Sequence, residues 1–489
     1  MSNQARVKKA VQLFFDQGLS VSPKAMDLLS ATSNPEGIVK EILNNMQKMN
    51  FKPLVILPEH LENSQNTFHT TASNDWDFVN ANTQKFTHGI HPYPARMVPQ
   101  IAYRLIKRYS KPYDLVLDPF CGSGTVPTEA RIMKSDGSSE KERPRNAIGN
   151  EINPLALLLS KVKSEIYDVV QLDKNASSLL VKIEELSSRK RRGKYEHKIP
   201  TEADFPRLNY WFKPHVIKDL AAIKECIAMS TDVDFRNFAY VCFSLTVLKV
   251  SNIYKTGDTF VKRLKPEELR KHNPKVLETF KAVLIDAVAK AKDFSRLCSD
   301  ETEVDITLSD ARHLPFSDGS IDLIVTSPPY GEEKNTVGYS RWSRLPSLWL
   351  GYESSWLRTL EKISLGARNY TYFTMPPSEK LNEIMVDVAK QDATLAMTAN
   401  SFFQDYYLCL EEMARVLRPN HYCCIVIGNR SLKRRRIPMD IVTKEFGEKV
   451  GFRHEITHFR KIPIKAIPWV CAKGETIAQE SIVVLKKGG

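Results

Sequence analysis

The sequence predicts an α/β protein, a mostly parallel sheet covered by helices on both faces with right-handed crossovers. Three observations predict it. Short apolar runs alternate with helical patterns up to about residue 165 and again from about residue 300. Several of those runs stop in glycine-rich or proline-rich turns, as strands of an open sheet do. The block between them, residues 166–299, is mostly helical and rich in Lys, Glu and Leu, which marks it as an insertion.

Residues 1–80 read as a small helical unit, because VKKAVQLFFDQ and EGIVKEILNNMQKM have helical apolar spacing and a polar stretch, Glu62–Asn74, follows. The first part of the core, 81–165, opens with DLVLDPF (114–120), a short apolar strand that ends in a glycine-rich turn and leads into the helix TVPTEARIMK. A second unit repeats the order: NAIGNEI (146–152) as a buried strand, then PLALLLSKVKSEI, with proline where the first helical turn tolerates one. Helical block 166–299 is broken at Pro200, Pro206 and Pro214 and carries the run Arg189-Lys190-Arg191-Arg192. Alternation resumes in 300–489 with strands VDITLSDA (304–311) and IDLIVTSPPY (321–330), a helix over QDYYLCLEEMARVL, strand YCCIVIGN (422–429) and helix PMDIVTKEFGEKV. The last strands, HEITHFR and SIVVLKK, form an antiparallel edge.

A chain of 489 residues, 42% hydrophobic and 26% charged, is neither disordered nor collagenous, which leaves an enzyme or a large binding protein. Seventy Lys and Arg against 57 Asp and Glu give a net charge of +13, which favours a polyanionic partner, either nucleic acid or an acidic membrane surface. The N-terminus MSNQARVKKAVQLFF lacks the apolar stretch of a secretory signal, and no run approaches the ~18 apolar residues of a membrane span. A cytoplasmic protein is expected. Its eight cysteines are scattered without a CxxC pair, so reduced thiols and no metal site are expected, with Cys423 and Cys424 as core residues of an apolar strand.

In open parallel sheets ligands bind beyond the carboxyl ends of the strands, so the residues where each strand stops are the ones to inspect. The first stops at Asp118-Pro119-Phe120-Cys121-Gly122-Ser123-Gly124-Thr125. Two glycines one residue apart permit a sharp turn and a close backbone approach to a ligand. Pro127 stands where a dinucleotide fingerprint needs its third glycine, and no phosphate-cradling lysine motif is present, so the turn suits a nucleoside-like ligand without pyrophosphate. Glu151, ending the second strand ahead of Asn153, can accept from both hydroxyls of a ribose, or else belong to a helix cap. Asp310, before Ala311, can accept from an exocyclic amine such as that of adenine, or act as an N-cap.

The fourth strand runs into Ser327-Pro328-Pro329-Tyr330-Gly331. Two prolines fix the backbone, remove two N–H donors and leave rigidly aimed carbonyls, so this loop accepts hydrogen bonds. An amino group bound to those carbonyls and to the serine hydroxyl keeps its lone pair directed away from them, and Tyr330 offers a flat face for stacking a base.

These residues resemble those of class I, S-adenosylmethionine-dependent amino-methyltransferases, and most closely the N4-cytosine DNA methyltransferases. DPFCGSGT is similar to that family's cofactor motif, GNEINP to its ribose-binding motif and TSPPY to its catalytic motif. Upstream, KFTHGIHPYPARMVPQIAYRL (85–105) resembles the segment that closes over the methionine end of the cofactor, which implicates His91, Pro92 and Tyr93. The resemblance covers about 81–165 and 300–489. It implies a Rossmann-like seven-stranded sheet with an antiparallel C-terminal edge strand, and S-adenosylmethionine as cofactor. In that family Ser in the first position of the catalytic motif accompanies cytosine N4, and Asp or Asn accompanies adenine N6. Methylation at cytosine carbon 5 would need a cysteine nucleophile, commonly after a proline, and no cysteine here follows a proline.

The implied partner is double-stranded DNA with one base flipped out, since a stacked base cannot present its amine to the loop. The implied setting is a restriction-modification system with a cognate endonuclease, or a solitary enzyme. Basic residues that suit the opened duplex are Arg341 and Arg344, the run Lys433-Arg434-Arg435-Arg436 just past the fifth strand, and Arg189 to Arg192, with a solvated loop as the alternative for the last run. Target recognition is assigned to the helical insertion. Three readings stand: N4-cytosine DNA methylation, an adenine-N6 or RNA methyltransferase of the same fold, and a non-catalytic nucleic-acid-binding subunit.

Overall fold

A computed structural model describes residue 40 and residues 76–133, 143–191, 198–254, 263–332, 336–367, 375–462, 470–471, 474–475 and 479–489. The helices expected within 1–80 therefore lie outside the described residues, apart from the single helical position Lys40. The chain divides into two compact units, one made of Phe78–Ser327 and Val337–Glu361, the other of Met1–Asp77, Pro328–Thr336 and Lys362–Gly489. The division falls between Ser327 and Pro328.

The first unit carries four parallel strands: β1 (Leu115–Asp118), β2 (Asn146–Glu151), β3 (Val304–Leu308) and β4 (Ile321–Thr326). Every residue of β4 is buried, as the largely apolar run IDLIVT requires of a strand covered on both faces. Asp322 inside it takes up the backbone N–H of Leu115 at 2.9 Å, which satisfies its buried carboxylate. Three core helices accompany these strands, α1 (Pro99–Tyr109), α2 (Thr125–Arg131) and α3 (Pro154–Ser164). Proline opens α3, and the Asn153 side chain caps it by accepting from the Leu155 N–H at 3.1 Å.

The helical block comprises α4 (Val169–Arg191), α5 (Leu208–Trp211), α6 (Pro214–Ala228), α7 (Val233–Val250), α8 (Pro266–Lys271) and α9 (Val276–Ser295). Helix α7 is apolar on most of its circumference, with Phe235, Phe238, Val241, Cys242, Phe243 and Val247 buried, and such a helix must be surrounded. It packs against α3, α6, α9 and α10 (Tyr339–Leu350), so the block shares a core with the helices of the parallel strands. A further helix, α11 (Ser354–Ile363), completes this unit.

The second unit carries β5 (Leu417–Gly428), the hairpin β6 (Arg430–Leu432) and β7 (Arg435–Ile437), β8 (Phe452–Lys461), the two-residue strands β9 (Val470–Cys471) and β10 (Gly474–Glu475), and β11 (Gln479–Lys487). Its helices are α12 (Glu379–Gln391), α13 (Ala393–Val416) and α14 (Met439–Lys449). Strand β11 is antiparallel to β5 on one side and to β8 on the other. The seven strands run in the order β3-β2-β1-β4 within the first unit and β5-β11-β8 within the second, so the last two long strands do form the antiparallel edge, with β8 outermost and the C-terminal strand inside it. Cys423 and Cys424 are fully buried in β5.

Candidate active site

The first unit assembles the strand ends of β1, β2 and β3. After β1 the backbone turns through Gly122 at φ +53° and Gly124 at φ +86°, both in the left-handed region that favours glycine. A Cβ on Gly124 would lie 2.6 Å from Ser160 Oγ and 2.8 Å from Ser160 Cα, so α3 can approach only because no side chain is there. Gly122 has more room, its nearest neighbour being the Tyr93 ring at 3.7 Å. Glu151 closes the turn: one carboxylate oxygen accepts from the Gly122 N–H at 2.8 Å, the other from Ile152 at 2.8 Å and Asn153 at 2.7 Å. Burial pushes its carboxyl above the ordinary range, and those three N–H donors pull the other way.

Asp118, at the last position of β1, accepts from Thr326 Oγ1 at 2.6 Å and from the Phe120 N–H at 3.1 Å, tying the ends of β1 and β4 together. Burial raises its carboxyl to about 7 despite those bonds, with the Glu151 charge adding to the effect. Asn150 knits the same ends: its amide donates to the carbonyls of Pro119 and Ser309, each at 3.1 Å. Its only sequence signal is its place one residue before Glu151.

His91 and Tyr93 sit over the turn. His91 is fully buried and donates from Nδ1 to the Pro92 carbonyl at 2.6 Å, while its own carbonyl accepts from the buried Lys163 ammonium at 2.8 Å. Burial, then the Lys163 charge, depresses the imidazole to about 3, so it is neutral. Pro92 is exposed. Both aromatic rings meet α10, the His91 and Tyr93 rings each edge-on to Trp342 at 5.5 Å, with Tyr93 also stacked on Tyr339 at 5.9 Å. Asn153 donates to Ser343 Oγ at 2.9 Å. Tyr339, Trp342 and Ser343 are thus part of this cluster, a contribution signalled in the sequence only by their i, i+3, i+4 spacing. Two buried polar atoms of the cluster, Ser123 Oγ and His91 Nε2, have no hydrogen-bond partner among the described residues.

At the end of β3 the Asp310 carboxylate is engaged by Arg312, whose buried guanidinium donates from Nη2 at 2.6 Å and from Nε at 2.9 and 3.1 Å, and whose backbone N–H adds a bond at 3.0 Å. The capping alternative does not hold, because the segment after Asp310 is a turn and no helix begins there. Ala311 is buried behind it. Of the two arginines on α10, Arg341 is exposed and Arg344 lies 3.7 Å from Glu361.

The second unit holds Pro328, Pro329, Tyr330 and the residues that follow. Tyr330 donates its hydroxyl to Glu480 on β11 at 3.0 Å. Two residues on, the buried Glu332 pairs with the buried Arg430 at 2.7 Å, and the Arg430 guanidinium lies over the rings of Phe402 and Phe403 at 5.4 and 5.8 Å. Gly331 admits that guanidinium, since a Cβ there would meet it at 2.9 Å.

The basic run 433–436 forms the tip and second strand of the β6–β7 hairpin. Lys433 and Arg434 occupy the two turn positions with φ +46° and +62°, the twist a two-residue hairpin turn requires. All four residues are exposed, with Lys433 at 3.2 Å from Asp392 and Arg435 at 3.5 Å from Asp387. Helix α4 extends through Arg189, Lys190 and Arg191, and Arg192 lies outside the described residues. No described helix is long and apolar enough to cross a membrane.

A family model described as DNA methylase matches residues 28–161. The type II methyltransferase M.MvaI of Kocuria varians is 31% identical over 428 residues, covering 83% of this chain and 91% of that protein. The type II methyltransferase M.BsoBI of Geobacillus stearothermophilus is 22% identical over 427 residues, covering 76% of this chain and 80% of its own. Among solved structures, the rRNA methyltransferase aviRa of Streptomyces viridochromogenes matches at 11% identity and a TM-score of 0.28, covering 83% of this chain and 91% of that one.

Proposed function

This chain belongs to the type II DNA methyltransferases, and from that premise we propose that it transfers a methyl group from S-adenosylmethionine to the exocyclic N4 of cytosine in DNA. The observation that carries the cytosine reading is Ser327-Pro328-Pro329-Tyr330 directly after the buried strand β4. Serine in the first position is the form that accompanies cytosine in enzymes of this kind, and Asp or Asn would favour adenine.

The residues around the β1 turn fit the cofactor. The side-chain-free Gly122, the unpartnered buried Ser123 Oγ and His91 Nε2, and the strand-end carboxylate of Glu151 form a cradle with polar atoms to spare. Pro119, Phe120, Thr125 and Asn153 line the same turn, Tyr93 and Pro92 belong to the segment above it, and Asp310 and Ala311 stand at the next strand end. When bound, S-adenosylmethionine supplies an electrophilic sulfonium methyl.

The chain's own work is on the amine. An aryl amine is a poor nucleophile because its lone pair is delocalised into the ring. Ser327 Oγ and the Pro328 carbonyl accept its two N–H bonds, which favours a tetrahedral nitrogen and stabilises the positive charge that develops during attack. Pro329 holds the backbone, and Tyr330 stacks on the base, fixing its plane. No protein nucleophile is required: as the N–C bond forms the sulfonium S–C bond would break, a neutral thioether would leave, and the methylated nitrogen would give its surplus proton to water. The base reaches this loop flipped out of the duplex, and the exposed cations at 433–436 and Arg341, together with Arg344 and the run 189–192, neutralise phosphates of the opened DNA. Recognition of the target sequence rests with the helical residues 166–299, and the enzyme works in the cytoplasm beside a cognate endonuclease.

Purified protein incubated with methyl-labelled S-adenosylmethionine and either unmethylated DNA or RNA tests the substrate. Label is expected in DNA; label in RNA alone would overturn the proposal.

A further inference from the structure

We infer that Glu480 is a positioning residue for Tyr330, holding the ring in the plane needed to stack on the target base; this rests on the reading of Tyr330 given above. A tyrosine in a loop can swing about two side-chain torsions, and two neighbouring prolines fix its backbone but not its ring. Its ring is held instead by its hydroxyl. A carboxylate only accepts, so Tyr330 Oη must donate to Glu480 Oε1, at 3.0 Å. The other oxygen of Glu480 receives Nη1 of Arg460.

Glu480 and Arg460 stand directly opposite each other in the β11–β8 ladder, and on its other side Glu480 faces Gly428, the last residue of β5. The Arg460 side chain is 6% exposed and that of Glu480 16%. Among the described residues each carboxylate oxygen thus has a donor, and the acceptor that fixes Tyr330 is locked by a pair embedded in the sheet. A bond to an ionised acceptor in such surroundings is stronger than one between neutral groups. The loop residue is therefore set by a strand 150 residues away in sequence.

The test is a double-mutant cycle on the full chain with mixed-sequence unmethylated DNA and labelled S-adenosylmethionine, read as single-turnover rate. Glu480→Ala should slow transfer roughly tenfold or more and leave the affinity for S-adenosylmethionine near that of the parent, in assays run well below a melting temperature that falls because Arg460 loses its buried partner. Glu480→Gln, which keeps an acceptor, should recover most of the rate. Tyr330→Phe should lose about as much as Glu480→Ala, and the double variant no more than either. Independently of turnover, the Tyr330 signal of ζ-13C-tyrosine-labelled protein, assigned by its loss in Tyr330→Phe, should shift in Glu480→Ala. An unmoved signal, losses that multiply in the double variant, or equal loss of cofactor affinity and rate would overturn the inference. If the labelled nucleoside proved to be N6-methyladenine, the cytosine reading would fail while the cycle still decided the role of Glu480.

Discussion

The glycine turn after β1 and the proline turn after β4 end neighbouring strands, yet they are made rigid in opposite ways. The first is fixed from within its own neighbourhood: left-handed glycines, a carboxylate at the adjacent strand end that takes up Gly122, and Thr326 on Asp118. The second is fixed by prolines that remove backbone freedom and by partners from distant sequence, the Glu480–Arg460 pair that takes up Tyr330 and Arg430, which pairs with the nearby Glu332. A turn that must admit a ligand against its backbone needs absent side chains. A turn that must present acceptors and a ring in fixed directions needs anchors.

The difference predicts that damage to the two turns separates binding from chemistry. The largest effect is expected at the glycines. Gly124→Ala forces a Cβ into Ser160 and a left-handed φ on alanine, which should cost about 3 kcal/mol of stability, measurable by denaturant unfolding. Gly122→Asp, where there is more room, should leave a folded protein whose binding of S-adenosylmethionine is abolished in calorimetry; unchanged affinity would remove the cofactor cradle from its assigned place. At the proline turn, Ser327→Ala and Tyr330→Ala should lower turnover by roughly 100-fold with cofactor affinity retained. Equal loss of both quantities would erase the contrast.

A pH-dependent effect sharpens the account of the glycine turn. Asp118 has a folded-state value of about 7, above its unfolded value, so its contribution to stability is full below about pH 4 and is lost as pH rises through 7. Asp118→Asn, which can still accept from Thr326, should flatten the stability profile between pH 4 and 7 relative to the parent, by up to about 4 kcal/mol. Identical profiles would mean that Asp118 is not held protonated by burial. Smallest are the single cations of the hairpin. Lys433→Ala or Arg434→Ala should each reduce the slope of log affinity for DNA against log salt by about 1 and weaken all sequences alike. A change in sequence preference would move target reading to the hairpin.

The contrast also explains what the sequence disclosed. The glycine turn, the acid at the end of the second strand and the succession of strands and helices were legible because their constraints are local: glycine spacing, an acid at a strand end, a buried run such as IDLIVT. The anchors of the proline turn were not. Glu480 reads as one charge at the start of a C-terminal strand and Arg430 as one of several basic residues near 433–436, and only tertiary pairing assigns them. Trp342 shows the intermediate case, since helical spacing marks an apolar face but not that His91 and Tyr93 lie against it. Asp310 shows the limit of a strand-end rule: the carboxylate stands where expected but is held by Arg312, two residues away.

The most direct test of the central claim is the identity of the methylated base. DNA treated with the purified protein and S-adenosylmethionine, digested to nucleosides and analysed by mass spectrometry, should contain N4-methylcytosine; N6-methyladenine without it would contradict the account.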